Sequence, residues 1–106
     1  MRVYLKKRNS DVSAVGEYDI ESGEIIVKKG AVVSDRVATE GKFRSATSVI
    51  RYREVHCKGR KTKEDVTFKS ASTAANFITG TSTNGLIAWK DEKGNTLRSI
   101  IKAQEV

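Results

Sequence analysis

The sequence of 106 residues predicts an α+β fold, and three stretches carry that expectation. First, apolar and polar residues alternate near the N-terminus around a Ser22-Gly23 turn, which is the pattern of an antiparallel meander. Second, Ser70 followed by spaced alanines and a Gly80 stop reads as a short capped helix. Third, the charged turn KDEKGN at 90–95 separates an apolar run containing Trp89 from a closing segment. Together they describe an N-terminal antiparallel β-meander, two short helices at about 43–54 and 71–79, and a C-terminal β-hairpin completing the sheet.

Taken in order, residues 2–6 alternate, with Val3 and Leu5 on one face and Tyr4 on the other, as in a first strand. RNSDV at 8–12 is a turn. Residues 14–20 and 24–28 form the two arms of the hairpin, and the continuously apolar Ile25-Ile26-Val27 places the second arm centrally in the sheet. Gly30 ends it, Ala31-Val32-Val33 extends the sheet after a bulge, and 35–42 is a polar connection.

After Gly41, Phe43, Ala46, Val49 and Ile50 fall at helical spacing, with Arg44, Ser48 and Arg51 on the opposite face. CKGRKTKED at 57–65 reads as a charged loop, and Val66, Thr67 and Phe68 as the end of a strand. The helix from Ser70 carries Ala71, Ala74, Ala75 and Ile78 on one stripe, small enough for close approach to a sheet. Asn84-Gly85 is a strong turn dipeptide, with Asn84 expected in a left-handed conformation. Leu86–Trp89 is a short buried run in which Trp89 is a core anchor, the alternative being a base-stacking ring. The segment 96–102 is a strand or a short terminal helix, and periodicity does not decide which.

The pieces F-K-S-A-S-T-A-A, G-T-S-T-N-G and W-K-D-E-K-G-N-T-L resemble a small bacterial domain of unknown function often appended to the C-terminus of GIY-YIG endonucleases. They are also similar to the RAMA (restriction enzyme adenine methylase associated) domain. The matching residues are Phe68, Ser70, Ser72, Ala74, Ala75, Asn84, Gly85, Trp89, Gly94 and Leu97. Ala71 stands where that pattern has Pro, and Leu86 where RAMA domains tend to have an aromatic. A proline at the first helical position only presets φ, so the first change should cost little. The second weakens any transfer of a ligand pocket. The resemblance implies an accessory domain of nucleic-acid-processing or restriction-modification proteins, with a neighbouring nuclease domain as a possible partner.

Length and composition set the outer limits. Residues 1–106 fit a single small domain with one modest core. No apolar run reaches membrane-spanning length, and the basic start lacks the apolar segment of a signal peptide. The single cysteine fits a reducing cytoplasm. His56 and Cys57 are adjacent and make a poor metal pair, so no metal or other cofactor is expected. No nucleophile–base arrangement stands out, and the chain reads as a non-enzyme.

The formal net charge of +7 is concentrated. Residues 42–63 hold eight basic side chains against Glu54 alone, while the remaining 12 basic and 12 acidic side chains cancel. Such a segment is the footprint of a phosphate-binding surface, which would position the protein on DNA without reading sequence. The bland reading, a solvated helix and loop, is disfavoured by that concentration. The candidate nucleic-acid-binding residues are Arg44, Arg51, Arg53, Lys58, Arg60, Lys61 and Lys63. Lys69, Ser70 and Asn84 form a second candidate contact at a helix N-terminus. Tyr52, between Arg51 and Arg53, is the one tyrosine placed to stack on a base, and reading a modified base rests on the RAMA resemblance alone. The alternative function is a protein-interaction or docking domain, and the same basic face would also accept anionic protein tails.

Overall fold

A computed structural model describes residues 1–38 and 43–104. Gly41 and Lys42, with the end of the expected polar connection, lie outside those residues. The elements are β1 (Arg2–Lys6), β2 (Ser13–Tyr18), β3 (Ile25–Val27), α1 (Ala46–His56), β4 (Cys57–Lys58), β5 (Lys61–Thr62), β6 (Val66–Phe68), α2 (Ala71–Thr79), α3 (Gly85–Ala88) and α4 (Leu97–Gln104). The fold is α+β, with the N-terminal strands in a meander as expected.

The main sheet is antiparallel with strand order β1-β2-β3-β6. Its register pairs Val3 with Gly16, Gly16 with Val27, and Ile25 with Phe68. Period-two alternation puts Val3, Leu5, Ala14, Ile25, Val27, Val66 and Phe68 on the buried face. α2 lies on that face against β2, β3 and β6, with α1 and α3 packed on it in turn and α4 on α3. Its alanines explain the close fit: Ala74 and Ala75 are fully buried beside Phe77 and Ile78. Ser70 caps the helix by accepting the Thr73 N–H at 3.1 Å, and Gly80 closes it in the left-handed region at φ 74°. Trp89 is fully buried, and its indole N–H donates to the Ala71 carbonyl at 3.0 Å. It is the core anchor.

Four local expectations change. The first helix begins at Ala46 rather than 43, and of its expected apolar face only Val49 is buried. The charged segment 57–65 is not merely a loop, because Cys57 pairs with Thr62 and Lys58 with Lys61 in a small hairpin. Thr62 turns inward, donating to the Lys28 carbonyl and accepting the Ala31 N–H at 2.9 Å, so a polar residue makes the buried contact. Asn84 is not left-handed: at φ −78° its side chain accepts the Leu86 N–H and starts α3, so 86–88 is helical rather than extended. The C-terminal hairpin keeps only single rungs, Lys90 with Thr96 and Lys90 with Tyr4, which attach the 90–96 turn to the β1 edge. From Leu97 onward the chain is helical.

Exposed carboxylates tie the loops together, and this fixes the expected pH dependence. Asp11 accepts two bonds from Arg60, and Asp65 accepts from the Lys28 ammonium and the Lys29 N–H. The Arg60 hydrogen bonds hold Asp11, and the Lys28 hydrogen bond holds Asp65, below the usual carboxylate range. Backbone N–H donors do the same for Asp19 and Asp91. A carboxylate whose folded pKa is depressed stabilises the fold fully above its unfolded value, and that contribution disappears as pH falls through the folded value. Urea midpoints should therefore be insensitive to these groups above about pH 5 and fall below about pH 4. D65N should already have a lower midpoint than the parent at pH 7 and lose less on acidification.

Candidate nucleic-acid interface

The basic residues of 43–63 divide into those the fold uses and those it leaves outside. Arg53 points inward from α1. Its Nε and Nη2 donate to the Phe77 carbonyl at 3.0 and 2.8 Å, and Nη1 donates to the Ser34 carbonyl at 2.9 Å. Nη2 also reaches the Ser34 hydroxyl and the Ile78 carbonyl. The guanidinium thus sits on the last-turn carbonyls of α2, where the helix dipole favours a cation. Burial lowers its pKa from the ordinary arginine value, though it remains a cation. R53A should lower stability by about 2–4 kcal/mol, since the charged hydrogen bonds to the Phe77 and Ser34 carbonyls are lost. R53K should recover only part, because a compact ammonium lacks the planar fork with which Arg53 spans the Phe77 and Ser34 carbonyls. Urea denaturation of the two variants checks both.

Arg60 is also engaged. Its Nη atoms clasp Asp11 and its Nε donates to the Val33 carbonyl at 3.0 Å. Arg53 is half-buried, and Arg60, though exposed, has its guanidinium paired with Asp11, which separates both from the other candidates.

Arg44, Arg51, Lys58, Lys61 and Lys63 are exposed, and none has an ion-pair partner among the described residues. Ser48, Arg51 and Val55 are spaced i, i+3 and i+7 along one flank of α1, and Arg44 lies in the turn just before its Ser45 cap. α1 runs directly into β4, and alternation turns Lys58, Lys61 and Lys63 outward, opposite Cys57 and Thr62. Lys58 and Lys61 are direct cross-strand neighbours, a like-charge pair that costs stability unless an anion lies over it. At the edge of this group, His56 pairs with Glu64 at 3.1 Å.

Lys69, Ser70 and Asn84 form a separate group. Ser70 is engaged as the α2 cap and bonds the Thr73 hydroxyl at 2.8 Å, while Asn84 caps α3. The Ser72 hydroxyl accepts the Gly85 N–H at 2.9 Å and draws the two helix starts together. Lys69 is exposed beside them.

A cleft of about 280 Å³ opens between α1 and α2, lined by Ser45, Ser48, Val49, Tyr52, Phe68, Thr73, Asn76 and Phe77. The Tyr52 ring lies 5.6 Å from Phe68 and 6.4 Å from Phe77, and those two rings are 5.1 Å apart. Of this set sequence reasoning singled out only Tyr52 as a ligand contact. The other walls come from the same helix with its cap, from Phe68 of β6 and from α2, and their convergence has no linear signature.

Among the described residues no three His, Cys, Asp or Glu side chains are grouped to hold a metal ion. Burial pushes the Cys57 thiol up, the direction opposite to activation as a nucleophile. No helix among them is long and apolar enough to cross a membrane. No curated protein and no solved structure matches the chain. One family model does match, over residues 3–101, nearly the whole length, and its description is a domain of unknown function. The chain therefore belongs to the DUF4357 family.

Proposed function

We propose that this domain is a non-catalytic nucleic-acid-binding module, acting on DNA as an accessory to nucleases or restriction-modification proteins. One observation carries the reading. Five exposed cations with no ion-pair partner among the described residues follow one another from the turn before α1, along that helix and onto the hairpin of β4 and β5, while the two arginines between them are held by the fold. A continuous cationic strip of this kind suits a phosphate backbone and has no geometry for reading base edges. The accessory role is supported by the resemblance of 68–97 to domains that accompany GIY-YIG endonucleases and to the RAMA domain.

A protein-docking reading has its own support in Ile50 and Val55, exposed apolar side chains on the same helix. Fluorescence anisotropy of a labelled DNA duplex, titrated at several salt concentrations, distinguishes the two. Phosphate contact by the strip predicts binding whose log affinity falls with log salt at a slope of about −4 to −5. Absence of binding at low salt would overturn the nucleic-acid reading and leave docking.

A further inference from the structure

We propose that the cleft between α1 and α2 takes a single unpaired nucleobase of a bound strand, with the adjoining phosphates over Arg44 and Arg51. This rests on the nucleic-acid reading above and specifies its ligand. The cleft volume of about 280 Å³ falls just below the range of about 300–1,000 Å³ for pockets of drug-sized molecules, which suits one ring system. Its lining holds three aromatic rings, of which Tyr52, 44% exposed as a residue, is the one left open for a planar ring to stack on.

The walls are neutral but can form hydrogen bonds. Asn76 accepts the Thr83 N–H at 2.8 Å through Oδ1. A backbone donor needs that oxygen, so the amide orientation is fixed and Nδ2 is the free end, unbonded among the described residues. Ser45, Ser48 and Thr73 add hydroxyls. A base edge combines the acceptors and donors that such a wall satisfies.

The cations supply the rest of the match. Ser48, in the cleft wall, lies one helical turn from Arg51, and Arg44 directly precedes Ser45, another residue of that wall. A ligand with a neutral planar ring and an anionic connector fits this juxtaposition, and a nucleotide has both. A base inside a duplex is stacked on both faces and cannot enter, so the cleft selects single strands, frayed ends or extruded bases.

The test compares a labelled single-stranded oligonucleotide with an abasic strand of equal phosphate number, by anisotropy at fixed salt. The base-containing strand is expected to bind about tenfold tighter. Ser48→Trp, which fills the cleft from an exposed helical position, should erase that difference while leaving the abasic affinity in place. Asn76→Asp, which keeps the acceptor for Thr83 and loses the Nδ2 donor, should reduce it. Equal binding of the two strands, unchanged by S48W, overturns the cleft assignment and leaves the phosphate strip standing. If neither strand binds, the strip fails, and nucleoside monophosphates titrated against the Asn76 side-chain amide resonance decide the cleft separately. Saturable shifts would support it, and their absence at millimolar ligand would overturn it.

Discussion

G85A is expected to unfold the domain or to destabilise it by about 3 kcal/mol or more, at the upper end of the cost of overpacking. The backbone of Gly85 is not left-handed, so the effect is one of space alone. A Cβ there would lie on the carbonyl group of Ala71 and the nitrogen of Ser72, in the first turn of α2. Main chain in a capped helix cannot rotate aside as a flexible side chain could. Moving α3 outward would break the Gly85 N–H bond to Ser72 and carry Trp89 away, since the Trp89 N–H bonds the Gly85 carbonyl at 3.1 Å. The indole bond to Ala71 would go with it. W89F provides the comparison: it keeps an aromatic ring but loses that bond and some volume, for about 1–3 kcal/mol. Urea denaturation followed by circular dichroism measures both. A G85A midpoint within error of the parent would mean that α3 does not seat on α2 in this way.

The same contact shows what a linear reading can and cannot find. α2 was legible to the residue because each of its signals is local: a serine cap, alanines on one stripe and a glycine stop. The meander was legible for the same reason, since a two-residue period around a glycine turn needs no partner to be recognised. Asn84-Gly85 is different. The dipeptide is a turn signal by composition, yet here Asn84 caps a helix and Gly85 is small because another helix passes behind it. Only the tertiary neighbour gives that meaning. β4 and β5 were hidden because their inward residues are Cys57 and Thr62, so charge masked the alternation. α1 was misplaced because it is anchored largely through the polar head of Arg53, whereas periodicity looks for an apolar stripe.

The candidate interface divides along the same line. The excess charge of 42–63 could be counted in the sequence, and its outward part, Arg44, Arg51, Lys58, Lys61 and Lys63, needed only helix spacing and alternation to place. The part engaged by the fold, half-buried Arg53 and ion-paired Arg60, could not be separated from it. Arg53 reaches carbonyls 24 and 25 residues ahead, and Arg60 reaches a carboxylate 49 residues back. Sequence neighbours of one charge therefore do opposite jobs, and a variant that removes both kinds confounds folding with binding.

That division yields the largest expected effect on binding. Replacing Arg51, Lys58, Lys61 and Lys63 together by Ala should weaken DNA affinity by roughly a thousandfold near 0.1 M salt and flatten the salt slope by about 3.6. The loss should be uniform across DNA sequences, because phosphate contacts carry no base information. Stability should stay level or rise slightly, since the variant removes the like-charged Lys58–Lys61 pair and breaks no ion pair among the described residues. R53A should do the reverse: under native conditions below its unfolding midpoint it should bind DNA with an almost unchanged salt slope, while its urea midpoint falls. Anisotropy and denaturation of the same two preparations give four numbers. If the quadruple variant keeps full affinity, or R53A alone flattens the slope, the strip is not the phosphate-binding surface. If the quadruple variant loses both slope and affinity while remaining folded, the surface charge is separated from the charge that holds α1, α2 and the Ser34 segment together.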